Sequence, residues 1–208
     1  MLRLAGGAIC GIAAGIITGI AARAAMRMVA DGVPDSIGQN PSFTAEGTIA
    51  IIVVAALAGA PFGALFGAVY DALPHPRRAR GLFFGVAMLI TIGPLFFTGT
   101  PDEFISRERM VLFAFLFPIF GIAAGVLLEP SLRIAQRLPG AAQAVFVLIA
   151  FGGGSLVATG ISAFVVQAVQ THGALAIAYV IPWLAVGVLA GLAVRSRISP
   201  AQLVRSPD

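Results

Sequence analysis

The sequence predicts an all-α integral membrane protein: a bundle of six transmembrane helices, read as three two-helix hairpins held by glycine-rich packing. Three observations predict it. Hydrophobic residues fill 59% of 208 positions and charged residues 11%, against about 25% charged in an ordinary soluble domain. Apolar runs recur at the length of about 20 residues that crosses a ~30 Å hydrocarbon core. Within several of those runs glycine returns every fourth residue, a spacing that lets two membrane helices bring their backbones together.

Six runs can be drawn, at about 4–24, 48–70, 82–98, 110–128, 142–169 and 174–194. They make residues 1–208 a single six-span membrane domain with a tail at 195–208, and the connections are too short to hold a soluble domain. Any function therefore lies in the bundle or at its mouths.

Span 1 contains GAICGIAAGIITGIAARAAMR, in which Gly7, Gly11, Gly15 and Gly19 fall every fourth residue and the row continues onto Arg23 and Arg27. At 3.6 residues per turn such a row drifts by about 40° at each step. One straight partner helix is not expected to touch all six positions; the four glycines form an inclined groove that the arginines leave. A secretory signal is the rival account, with Arg3 as its charged region and Ala22-Arg23-Ala24 resembling a cleavage site. It is disfavoured because the apolar stretch from Leu4 to Ala22 exceeds the usual core of about 7–15 residues.

The same device returns in spans 2, 4 and 6. Pro61 precedes Gly63, Gly67 and Asp71; Pro118 precedes Gly121, Gly125 and Glu129; Pro182 precedes Gly187, Gly191 and Arg195. The pattern suggests a hairpin unit used three times, as spans 1–2, 3–4 and 5–6, about an axis normal to the membrane. Independent glycine-rich packing is the alternative, since membrane helices are enriched in glycine and proline generally. Asp71 and Glu129 are taken to end their spans, Glu129 just ahead of Pro130. The phenylalanines of span 4, Phe113, Phe115, Phe117 and Phe120, are assigned to a lipid-facing or inter-subunit surface. Span 5 breaks the regularity: Gly152, Gly153 and Gly154 stand in a row, which permits a bend or local unwinding if protein covers it.

All 13 basic residues are arginine, taken as a GC-rich coding bias and hence as a bacterial origin. Arg3, Arg77, Arg78, Arg80, Arg133, Arg137, Arg195, Arg197 and Arg205 fall at one side of the predicted spans. The other side holds Arg23, Arg27, Arg107 and Arg109 with six acids, Asp31, Asp35, Glu46, Asp102, Glu103 and Glu108. The asymmetry of arginine in short loops places both termini in the cytoplasm of a bacterial inner-membrane protein. Tyr179 and Trp183 near the outer end of span 6 fit an interfacial belt. The arginines are scattered, without a basic helix or interleaved aromatics, so nucleic acid is excluded as a partner. Cys10 is alone inside span 1 and reads as a small packing residue without a disulfide partner.

Candidate chemistry is sparse. Arg23 and Arg27 at the outer end of span 1 are read either as an anion-attracting vestibule or as interfacial anchors that snorkel, and Arg23 is expected to pair with Glu46. Asp71 and His75 offer two metal ligands without a third, and His172 reads as a solvated loop residue. No metal and no cofactor are therefore expected. At midplane only hydroxyls and an amide are available, Thr18, Thr91, Ser155, Thr159, Ser162 and Gln167, and such groups commonly bond their own backbone. At about 100° per residue Ser155, Thr159 and Ser162 share a face about 60° wide, the stripe a conduit would need. Nucleophile-and-base arrangements and phosphate-cradling loops are absent from the sequence, so no enzyme is expected. The expected function is a non-catalytic membrane protein acting through helix packing, as a homo-oligomer or as an accessory subunit among other membrane subunits. A small-solute permease or channel is the alternative.

Overall fold

A computed structural model describes residues 1–30, 44–73, 79–98 and 114–172 of the protein. Among them the elements are helical, in the order α1 (Leu2–Ala30), α2 (Ala45–Val69), a 3-10 turn (Tyr70–Ala72), α3 (Arg80–Thr98), α4 (Leu116–Arg137) and α5 (Gly140–His172). Helices α1, α2, α4 and α5 are each long and apolar enough to cross a membrane, and α3 supplies a shorter apolar helix over Arg80–Gly93. The sixth span expected at 174–194, with Gly187, Gly191, Tyr179 and Trp183, lies outside the described residues. So do Phe113 and His75.

Among the described helices α1 has the most neighbours, packed against α2, α4 and α5, while α3 lies on α4. Its Ala5, Ala8, Cys10 and Ala14 are fully buried. The glycine row explains how the neighbours come so close. Gly7, Gly11 and Gly15 lie against Gly63, Gly59 and Ala55 of α2, and a methyl group on either Gly11 or Gly59 would overlap the carbonyl of the other. In place of that methyl a Cα–H points at the carbonyl oxygen, a weak hydrogen bond worth about 0.5–1 kcal/mol. Gly19 continues the row, where a methyl would stand 3.0 Å from Ile52 Cα, and at the other end Gly67 meets the Arg3 carbonyl.

The row does not leave α2 where expected. Gly7 to Gly19 all face α2, and the Arg23 Nε donates to Thr48 Oγ1 of the same helix at 3.0 Å. The reason is that α2 carries its own four-spaced row, Gly67, Gly63, Gly59 and Ala55, running antiparallel. A drifting row on one helix is followed by a drifting row on the other. The α3–α4 pair uses the same device: Gly81 and Gly121 exclude a methyl on each other, and Gly85 and Gly125 extend the contact. Gly81 and Gly85 were not singled out by the sequence reading, although their spacing is the same.

Two helices outrun their expected ends. α1 continues past Arg27 to Ala30 because Ala22 through Met28 contains only good helix formers. α4 runs through Pro130 to Arg137, so Glu129 does not end it. A proline costs one backbone bond and crowds the carbonyl four residues back, yet Ser131 and Ala135 beyond it are buried and Leu132 packs on Gly6 of α1. That burial holds the last two turns. The helix stops at Leu138, which is extended (ψ 141), as the residue before Pro139 is pushed to be. Gln143 Nε2 then donates to the carbonyls of Ala135 at 3.0 Å and Leu138 at 3.1 Å, covering the end of α4 and fixing a tight turn into α5.

The glycine run of α5 does not unwind; residues 152–154 stay helical. Pro61 of α2 has no N–H, so the Leu57 carbonyl loses its donor within the helix. Gly153 fits against that carbonyl, with the position of its missing methyl 3.2 Å from Pro61 Cδ. The absent Cβ that would allow a bend serves close approach instead, and the neighbouring helix attends to the group the proline freed.

Beside the glycine seams the core is filled by Phe66, Phe84, Phe120 and Leu128 around Cys10. Phe66 and Phe84 lie 4.9 Å apart, and Phe62 meets Phe120 edge-on at 6.5 Å. Phe120 is thus a core residue, correcting its assignment to the outer surface; Phe117 is half-buried and Phe115 is exposed. Phe115 and Phe120 are about 140° apart around the helix, so one can face out while the other packs.

Candidate functional site

Polar side chains gather at the two ends of the bundle. Where α1 ends and α2 begins, Thr44 caps α2 by accepting from the Gly47 N–H at 3.1 Å, as N-cap threonines do. Thr48 Oγ1 donates to the Thr44 carbonyl at 3.0 Å and accepts from Arg23 Nε. A cavity of about 350 Å³ lies here, lined by Arg23, Arg27, Thr44 and Thr48 with Ile20 and Ile52. The two arginines of the sequence reading therefore do share one cleft.

Glu46 sits in the first turn of α2 and is exposed. Among the described residues the acceptor for Arg23 is Thr48 and not the expected Glu46 carboxylate. Depth was right but helix face was wrong: Glu46 precedes Thr48 by two residues, about 200° around the helix.

At the opposite end Arg3 and Asp71 form an ion pair, each side chain 51% exposed. Arg80, the first residue of α3, is only 4% exposed, and its guanidinium lies 4.6 Å from the centre of the Tyr70 ring, within reach of a cation–π attraction. A cavity of about 230 Å³ is lined by these four residues together with Glu129. In the sequence Arg3 and Arg80 stand out only as topology signals. The four-spaced row held the clue to one of them, because a step beyond Gly67 reaches Asp71 and a step before Gly7 reaches Arg3. The burial of Arg80 had no signal in the sequence. Among the described residues no group of three His, Cys, Asp or Glu is placed to hold a metal.

Between these ends the hydroxyls serve their own helices. Thr18 donates to the Ala14 carbonyl at 2.8 Å and Thr91 to Ala87 at 2.8 Å. Ser155 donates to Gly152 at 2.7 Å, Thr159 to Ser155 at 2.9 Å and Ser162 to Ala158 at 2.8 Å. The last three are exposed on α5; the structure places them together on that helix but not inside the bundle it describes. Cys10 donates to the Ala124 carbonyl at 3.3 Å and acts as a small buried contact between α1 and α4. Compared with protein-family models, with curated proteins and with solved structures, the chain matches none.

Proposed function

We propose that the chain is a non-catalytic multispanning membrane protein that works through helix packing, as an oligomer or as an accessory subunit of a membrane complex. Its six spans set both termini on the cytoplasmic side of a bacterial inner membrane. The observation that carries this reading is how closely the described helices pack between the two ends: Gly11 and Gly59 bring the backbones of α1 and α2 together, and Thr18, Thr91, Ser155, Thr159 and Ser162 bond their own helices. Support for a partner comes from α5, where Gly152, Ser155, Thr159, Gly160, Ser162 and Ala163 are exposed. Small residues on a membrane helix favour close helix neighbours over lipid. On this reading the partner that covers that face is another subunit.

A small-solute permease or channel is the second reading, favoured by the cavity that holds Arg23 and Arg27. Cysteine substitution at Ser155, Thr159 and Ser162, in a chain with Cys10→Ala, separates the two. Packing predicts that a membrane-impermeant thiol reagent leaves all three unlabelled; labelling of the three as a stripe favours the conduit.

A further inference from the structure

We propose that the last two turns of α4 hold the headgroup of an anionic lipid through Arg133 and Arg137. The inference rests on the reading of the chain as a membrane protein. α4 has 22 residues, a length of about 33 Å, so a helix that starts at one face of a ~30 Å hydrocarbon core delivers its end to the headgroups of the other. That end is two-sided. Ser131 and Ala135 are buried and Leu132 packs on Gly6 of α1, while Arg133, Ile134 and Arg137 are exposed.

Two observations leave these arginines to a partner outside the described chain. Among the described residues neither forms an ion pair or a side-chain hydrogen bond, whereas Arg3, Arg23 and Arg80 are engaged by Asp71, Thr48 and the Tyr70 ring. The carbonyls that end a helix can occupy an arginine of its last turn, but here Gln143 Nε2 takes those of Ala135 and Leu138. Glu129 stands one turn before Arg133 and lines the cavity of Arg3 and Arg80. Arg133 and Arg137 are about 40° apart around the helix, so their like charges repel, and an anion between them relieves that repulsion. The surroundings select a lipid. Ile134, 51% exposed, stands between the two arginines in sequence, and basic residues beside an exposed apolar one fit a boundary where the headgroup is anionic and hydrocarbon lies beneath it. Each guanidinium also presents parallel N–H donors to two oxygens of one phosphate.

The test uses the purified full-length chain in neutral detergent. Native mass spectrometry reads the retention of phosphatidylglycerol against phosphatidylcholine with the same acyl chains. The preference for phosphatidylglycerol is expected to fall about fivefold in Arg133→Gln or Arg137→Gln and about twenty-five-fold in the double variant. It should survive when both arginines become lysine, because the attraction is one of charge. Arg109→Gln, an equal loss of charge on the side that the arginine pattern sets opposite, should leave it unchanged. Equal retention of the two lipids by the wild type, a double variant that matches the wild type, or Arg109→Gln losing as much as the single variants overturns the assignment. So does a co-purifying acidic subunit that is lost in the double variant while lipid retention stays, which would give the face to a protein. Alkaline washing of membranes separates the two levels of the reading: a chain that is washed off refutes the membrane reading itself, and one that stays embedded yet shows no preference for phosphatidylglycerol refutes this inference alone.

Discussion

Arg23 rests on a hydroxyl, and that contact sets what its replacement should do. Thr48 accepts from its Nε at 3.0 Å, and an ordinary hydrogen bond contributes about 1 kcal/mol net. Thr48→Val should therefore destabilise by about that amount, while Glu46→Gln, at an exposed position, should stay within about 0.5 kcal/mol of the wild type. Reversible unfolding of single and double variants reads both. A double-mutant cycle should find coupling between Arg23 and Thr48 and none between Arg23 and Glu46; the opposite pattern would restore the carboxylate as the partner. The exposed pair of Arg3 and Asp71 is expected to contribute only about 0–1 kcal/mol. At this scale the sequence revealed depth better than direction. It placed Arg23, Arg27 and the start of α2 at one level, but a shift of two residues on α2 decides which side chain faces α1.

Pairs of neighbouring glycines make the sharpest statement about the helices. Gly152 has nothing within 4 Å of where a methyl would stand, whereas Gly153 is pressed on the Leu57 carbonyl. Gly152→Ala should be neutral or stabilising by up to about 1 kcal/mol through helix propensity. Gly153→Ala should lose about 1–3 kcal/mol through overpacking. Similar stabilities for the two would show that α5 does not dock on α2 through that residue. By the same reasoning Gly11→Leu or Gly15→Leu should reduce folded protein far more than Phe115→Leu, since Phe115 is exposed and lipid is an adequate neighbour for either side chain. Equal loss from all three would remove the special seam on α1. The α1 row was legible because four glycines at one spacing leave little else for them to do. The α5 run was not, because three adjacent glycines permit a bend and a close approach equally. What decides between them is Pro61, on a different helix. Pro130 misled for a related reason: whether a helix survives a proline depends on burial beyond it, and Ala135 is buried because α1 and α5 both pack beside it.

At the scale of the whole molecule, four described helices are long and apolar enough to cross a membrane, and between the two cavities described above the described helices pack through glycine, alanine and phenylalanine. The all-helical fold with long apolar helices was legible from composition and run length. The many neighbours of α1 were not, because burial on several sides comes from partners and leaves a helix uniformly apolar rather than patterned. The topology is checked by reporter fusions after Asn40, Arg78 and Val204. An outward first reporter and inward second and third ones are expected, and an outward third would break the six-span count. The central claim is that this chain acts by packing against other helices, beyond those it supplies itself. Its most direct test is the mass of the particle extracted in native lipid without detergent exchange. A mass of two or more chains of 21.3 kDa, or of one chain with a co-purifying membrane subunit, is expected. A monodisperse particle holding a single 21.3 kDa chain and no other protein would contradict it.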